Sequence, residues 1–340
     1  MKRKKWSILI ITVISAAVLG YMVYKEGARD LFEAAISARP LWLFVAACLM
    51  GIYWLLESHA LHLAVIEFRP KQHFLSSLKV SMVGQLFNCI TPFASGGQPV
   101  QAYRLVKEGM PLESASCALM VKFIVYQSVL TFYSLITFLL RFSLFATQIS
   151  GVGILVLIGF AVNFSVIAGL LFICCFRKGT VHILALGIRL GANLRLVKDK
   201  QAAMEKMKEK LEGFYDGFAA MRRNLPLIFR MMFITAVQLT AYFLIPWALY
   251  RAFGLSGATF FSIIAASAFV LNLTSFVPLP GAAGGAEFGF YTLFSMFFPQ
   301  TIIHAAVLLW RAVTFYFPIV TGYLFTVNVN NKTTHKMIQN

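Results

Sequence analysis

Long apolar runs without a polar face, separated by short polar connections, set the pattern of this chain. Trp6–Tyr24 is 19 residues without a charge; as a helix rising about 1.5 Å per residue it is roughly 28 Å long, close to the hydrocarbon thickness of a bilayer. A cleaved signal peptide has a shorter apolar core and a small-residue exit, whereas Tyr21-Met22-Val23-Tyr24-Lys25 follows here, so the run reads as an uncleaved anchor. Further runs cover Leu41–Ile66, Cys117–Leu140, Gly151–Phe176, Leu227–Tyr250, Ala258–Val277 and Thr301–Val327. The pattern predicts an all-α integral membrane protein with about seven to eight transmembrane helices.

Two places break this pattern. Phe74–Ile90 is a weaker apolar run containing Lys79 and leads into Thr91-Pro-Phe-Ala-Ser-Gly-Gly-Gln98. Ala258–Val277 leads into Leu279-Pro-Gly-Ala-Ala-Gly-Gly-Ala286 and then the short run Glu287–Phe298. Set 188 residues apart, the loops agree at Pro92/Pro280, Ala94/Ala282, Gly96/Gly284, Gly97/Gly285, Tyr103/Tyr291 and Leu105/Leu293, six identities in fourteen positions. Agreement vanishes upstream, so the sequence signal of an internal repeat is local. Each segment is a candidate for a re-entrant one: Pro stops the helix and Gly-Gly reopens it. Backbone that leaves the helix at membrane depth must be buried in protein or line a wet cavity. Paired Gly/Pro-interrupted segments in two halves point to a transporter's binding site. N–H groups left free at the start of the resumed helix would suit a phosphate or carboxylate. Whether Glu287–Phe298 crosses or returns is open, and with it the side of the C-terminus; Lys332 and Lys336 favour the cytoplasm.

Composition sharpens the class. Hydrophobic residues are 59% and charged residues 13% of the chain, a balance that excludes a soluble globule, a disordered chain and a disulfide scaffold. The five cysteines (Cys48, Cys89, Cys117, Cys174, Cys175) form no C-x-x-C pair and lie in or beside apolar runs, so packing is their expected role. The net charge of +17 could suggest nucleic acid, but its placement does not. With the N-terminus in the cytoplasm, the cytoplasmic segments carry 20 Lys/Arg: Lys2, Arg3, Lys4, Lys5, Arg69, Lys71, Arg104, Lys107 and twelve from Arg177 to Arg230. The external connections carry five: Lys25, Arg29, Arg39, Arg141 and Arg251. The positive-inside rule accounts for that asymmetry, and anionic lipid for its partner.

The organisation is a single polytopic membrane domain over 1–340: a first half to about 176 with loop 91–98, a basic linker 177–226, a second half 227–327 with loop 278–286, and a tail 328–340. In the linker, the segment from Lys198 reads as a helix with Met204, Met207 and Leu211 on one face, lying on the inner leaflet. Fifty residues are too few for a familiar catalytic domain.

Ionisable groups inside spans are costly and are functional candidates by default. Glu57 sits mid-span with His59 and His62; the E-x-H-x-x-H spacing could be forced into a metal site, but the second half supplies no matching ligands, so no metal is assigned. Pairing of Glu57 with Lys122 or Arg311, both also mid-span, is the preferred reading. Glu287 opens the helix after Gly284-Gly285, where it can cap the N-terminus or meet a cationic headgroup. Gln101 and Arg104, at i and i+3 after Gln98, can offer an amide and a guanidinium to a phosphate; Arg104 can equally be an ordinary juxtamembrane arginine. Lys79 can snorkel to the inner surface. The candidate lipid-binding set is therefore Pro92, Gly96, Gly97, Gln98, Gln101, Arg104, Pro280, Gly284, Gly285 and Glu287. No catalytic residues are assigned, since no Ser-His-Asp or Cys-His arrangement is readable, and no cofactor, since no G-x-x-x-x-G-K-[ST] loop is present.

At Thr91-Pro-Phe-Ala-Ser-Gly-Gly-Gln-Pro-Val-Gln-Ala-Tyr-Arg-Leu and Pro278-Leu-Pro-Gly-Ala-Ala-Gly-Gly-Ala-Glu, the chain resembles the membrane region of the bacterial lysylphosphatidylglycerol synthetase/flippase (multiple peptide resistance factor) family and its stand-alone flippase-like relatives. The likeness covers nearly the whole chain. Many relatives carry an acid where this chain has Gln98 and an Arg where it has Gln101, which removes an ionic role there. The resemblance implies a flippase-like protein of the bacterial plasma membrane that moves phosphatidylglycerol-derived lipids, with anionic or aminoacylated headgroups, and alters surface charge and resistance to cationic peptides. The alternative it implies is a phosphatidylglycerol lysyltransferase using lysyl-tRNA. That activity belongs to a soluble domain expected to be missing from a chain ending at Asn340, and would call for a separate soluble synthase as partner. Direct nucleic-acid binding is not expected; an oligomer is compatible with the sequence.

Overall fold

The computed structural model describes residues 36–143, 145, 152–193, 199–275 and 277–326. The expected first span Trp6–Tyr24 and the tail lysines lie outside the described residues. Helices α1 (Pro40–Ile66), α4 (Leu112–Leu140), α5 (Val152–Cys175), α8 (Leu225–Phe243) with α9 (Ile245–Ala252), and α12 (Gln300–Arg311, continuing to Thr326) supply the five spans long and apolar enough to cross a membrane among the described residues. Between them lie α2 (Phe74–Ile90), α3 (Gly97–Lys107), α6 (Arg177–Asn193), α7 (Lys200–Arg223), α10 (Phe260–Thr274) and α11 (Gly285–Phe294). The protein is an all-α multi-pass membrane protein.

Local chemistry sets the boundaries. Pro40 opens α1, where its missing N–H leaves no bond unmade. Asp199 caps α7 by accepting from the amides of Gln201 and Ala202, Asn224 caps α8 and Thr259 caps α10. Pro246 breaks α8 from α9 by removing an interior donor.

α1 and the α8–α9 pair run antiparallel. At one end the Arg39 amide donates to the Ala252 carbonyl at 2.8 Å and Trp42 packs edge-on against Trp247. At the other, Asn224 Nδ2 donates to Glu67 Oε1 at 3.3 Å. The Glu67 end carries Arg69, Lys71, Arg104, Lys107 and α7, and is the basic face.

The two broken segments are hairpins entering from opposite faces. The first, α2–α3, starts and ends at the basic face: Gln72 and Ser76 at its entrance both bind the Glu108 carboxylate at its exit, and Arg69 Nη1 donates to the Glu108 carbonyl at 2.6 Å. The second, α10–α11, starts and ends at the other face. There the Ala258 amide donates to the Tyr250 hydroxyl at 2.9 Å, and the Phe298 ring packs on the same Tyr250 and on Phe253. Arms of 10 to 17 residues reach about 15–25 Å, so both tips stop within a hydrocarbon layer about 30 Å thick. The tips pack against each other.

Two readings from the sequence are corrected here. Ala258–Val277 is not a span. Its helix is 15 residues long and ends where Thr274 and Ser275 turn their hydroxyls onto the Leu271 carbonyl. The linker helix is not free on the leaflet: α7 continues the Met204–Leu211 stripe through Phe214, Phe218 and Met221, all three buried. Met221 meets Cys117 of α4, and Lys210 pairs with Glu113 at 3.2 Å.

The repeat also extends well beyond the loops. α3 and α11 begin 188 residues apart, as do α4 and α12, while α1/α8 and α2/α10 begin 185 and 186 apart. Because the hairpins open to opposite faces, the two halves are inverted copies, the arrangement in which many transporters place a site at the repeat interface.

Candidate functional site at the meeting of the two hairpin tips

The tips share one backbone path through their turns and then part, with Ser95 and Gly96 at −80/−16 and −79/−20 but Ala283 and Gly284 at −53/139 and 82/−53. Thr91 and Leu279 are extended at φ/ψ of −112/147 and −109/150, and each precedes a 3₁₀ turn, Pro92–Ala94 or Pro280–Ala282. The second residue of each turn is left-handed, Phe93 at 54/19 and Gly281 at 60/20, and so is the third, Ala94 at φ 51 and Ala282 at φ 54. Left-handed backbone costs a non-glycine residue about 1–2 kcal/mol. Three such residues held in equivalent places make the tips a strained device of the kind found at functional sites.

Three amides at the tip glycines are engaged by the chain's own side chains. The Gly96 N–H donates to Thr91 Oγ1 at 2.8 Å, and the Gly97 N–H to Asn88 Oδ1 at 3.0 Å. The Gly284 N–H donates to Glu287 Oε2 at 2.6 Å. Side chains of the chain itself thus hold these three amides. Gly96 and Gly97 are small because Thr91 and Asn88 fill the space a Cβ would need. At Gly284, φ is +82 and the surrounding space is open.

Two buried ion pairs contact the hairpins, one on an arm of the first and one at the tip of the second. Lys122 of α4 pairs with Glu57 of α1, whose second oxygen accepts from Gln85 of α2. Arg311 of α12 sits at 4% exposure, with its Nε 2.7 Å from Glu287 Oε1 and its Nη2 donating to the Gly281 carbonyl at 2.9 Å. Glu287 is thus both helix cap and ion-pair partner. A π-helical turn, Ala312–Tyr316, follows Arg311 directly and lays Phe315 under the guanidinium at 4.6 Å. Such turns often occur at functional sites. Tyr53 and Tyr242, with ring centroids 5.3 Å apart, stand between the two pairs.

The remaining candidates divide. Pro92 and Pro280 open the two turns, Gln98 is half-buried beside Gly97, and Gly285 packs on Val277. Gln101 and Arg104 are separated from the tip. Gln101 is 2% exposed and folds against Gly84 inside the first hairpin, and Arg104 lies in the last turn of α3, towards the basic face. Lys79 is half-buried in α2. Thr91, Asn88, Gln85 and Tyr316 belong to this neighbourhood and were not singled out from sequence; polar residues at the end of an apolar run were the available signal.

The family description lysylphosphatidylglycerol synthase TM region matches residues 7–322, both tips and both ion pairs included. The chain belongs to this family. It is also similar to a "UPF0104 membrane protein" of Archaeoglobus fulgidus, at 26% identity over 330 residues, covering 92% of this chain and 94% of the relative. In this member of the lysylphosphatidylglycerol synthase TM region family, the inverted hairpins and their ion pairs form the candidate site.

Proposed function

We propose that the protein is a phospholipid flippase-like transporter of the bacterial plasma membrane, in which a polar headgroup passes the junction of the two hairpin tips. One observation carries this reading: hairpins from opposite faces meet inside the bilayer beside two buried ion pairs. Irregular backbone at that depth is stable only against protein or a wet cavity, and Pro92–Ser95 of the first tip are exposed. A small displacement of either tip therefore opens a polar path to one face. The positive-inside rule supports the basic face as the cytoplasmic one and, with Trp6–Tyr24 taken as a span, a cytoplasmic N-terminus. The family supports a phosphatidylglycerol-derived substrate, such as its lysyl ester.

The test is a leaflet-resolved assay. Purified protein in sealed vesicles containing lysyl-phosphatidylglycerol is sampled with an impermeant amine reagent. Supporting the proposal, the protected fraction becomes reactive faster than in protein-free vesicles; equal rates contradict it.

A further inference from the structure

The chain folds sharply where α5 gives way to α6. Seven residues of straight helix rise about 10.5 Å, yet Thr180 Oγ1 donates to the Ile173 carbonyl at 3.1 Å, so α6 leaves the axis of the span at Phe176. Tyr215 of α7 donates to the same carbonyl at 2.8 Å, and Arg177 pairs with Glu212 at 2.6 Å, which sets α6 beside α7. α7 in turn lies over the basic-face ends of two spans: a Cβ at Gly217 would meet the Phe68 ring just past α1 and Cys117 of α4. α6 is thereby held at the depth of the lipid headgroups.

α6 has two apolar stripes, and α7 covers one of them. Val181, Ala185 and Ile188, at i, i+4 and i+7, are half-buried, and Val181 shares a groove with Leu211 and Glu212 of α7. Ile183, Leu186 and Leu190, at i, i+3 and i+7, are 58%, 51% and 54% exposed. Along one edge of this second stripe run Lys178, His182 and Arg189, at i, i+4 and i+11, all exposed. α6 contains no acid, whereas α7 mixes its lysines with Glu205, Glu209, Glu212 and Asp216. Unopposed positive charge beside a bare apolar stripe, at headgroup depth, complements an anionic leaflet: the stripe enters the acyl boundary and the basic edge meets phosphates. A symmetric contact with a second copy would instead set the same cations against each other.

We propose that α6 is a docking helix for anionic phospholipid in the leaflet of the basic face. The surface is separate from the hairpin tips and does not depend on the transport reading. Docked there, α6 braces α7 where it covers the ends of α1 and α4.

The test places an environment-sensitive fluorophore (NBD) on Leu186→Cys of the otherwise cysteine-free full chain, in phosphatidylcholine vesicles. The vesicles also hold, at equal mole fraction, either phosphatidylglycerol or phosphatidylcholine brominated in its acyl chains, which quenches on contact. Brominated phosphatidylglycerol should quench strongly and brominated phosphatidylcholine weakly. Lys178→Gln/Arg189→Gln should lower the docked-to-free ratio about thirtyfold, at roughly fivefold per charge removed, and bring the two lipids level. The same fluorophore on Glu209→Cys, exposed on α7, should be quenched by neither. An unquenched Leu186 position, or equal quenching by the two lipids before the charges are removed, overturns the proposal. Self-quenching between labelled copies that unlabelled protein relieves would make a second copy the occupant and overturn it as well.

Discussion

Arg311 straddles the second tip: it donates to the Gly281 carbonyl at 2.9 Å and lies 2.7 Å from the Glu287 carboxylate six residues later. One side chain from a crossing helix thus holds both the turn and the resumed helix. In the first half the comparable cation, Lys122 of α4, is engaged instead by Glu57 and does not hold its own hairpin's tip. The inverted halves therefore differ in whether the hairpin tip is pinned by a crossing helix.

Breaking the Glu57–Lys122 pair should be expensive. Both side chains are under a tenth exposed, and removing one partner of a buried pair leaves an uncompensated charge worth about 3–5 kcal/mol. Lys122→Met and Glu57→Gln should each lower resistance to unfolding in detergent by that order. The double variant should be less damaged than the sum of the two. Additive losses would show that the pair is not coupled.

Gly281 and Gly284 both have positive φ but differ in surroundings. A Cβ at Gly281 would overlap the Phe315 ring, whereas at Gly284 it would enter open space. Gly284→Ala should therefore lose only the backbone preference, about 1–3 kcal/mol. Gly281→Ala should lose that and also displace the ring beneath Arg311, so its thermal midpoint should fall further. The reverse order would contradict the tip geometry.

Reagent accessibility separates re-entrant hairpins from spans. In a background without the native cysteines, single cysteines at Lys71, Gly109 and Glu209, all exposed, should react with an impermeant maleimide from one face of sealed vesicles. Those at Gly257 and Gln300 should react from the other. Labelling of Gly257 and Gln300 from opposite faces would make α10–α11 a crossing segment.

Much of this was readable in the chain because proline and glycine do jobs other residues cannot. The Pro92/Pro280 and Gly96/Gly284 register located both tips, and the free-energy penalty of intramembrane charge singled out Glu57, Lys122 and Arg311. The wider repeat was not readable, because lipid-facing positions of α1, α4, α8 and α12 accept any large apolar residue and identity drifts while hydropathy persists. The occupied amides were hidden for another reason. Thr91 and Asn88 look like ordinary flanking residues until the chain turns back and brings Gly96 and Gly97 onto them. Ala258–Val277 was misleading because apolar length alone does not reveal that Thr274 and Ser275 end the helix early.

The most direct measurement joins the two tips. The two turns pack against each other and Phe93 and Leu279 beside them are 57% and 51% exposed, so Phe93→Cys/Leu279→Cys in a cysteine-free background is treated with bismaleimides of graded length. The account predicts that bridging forms within one chain and reduces lipid translocation to the rate of protein-free vesicles, while each single cysteine treated alike keeps translocating. Bridged protein that moves lipid at the unbridged rate would contradict it.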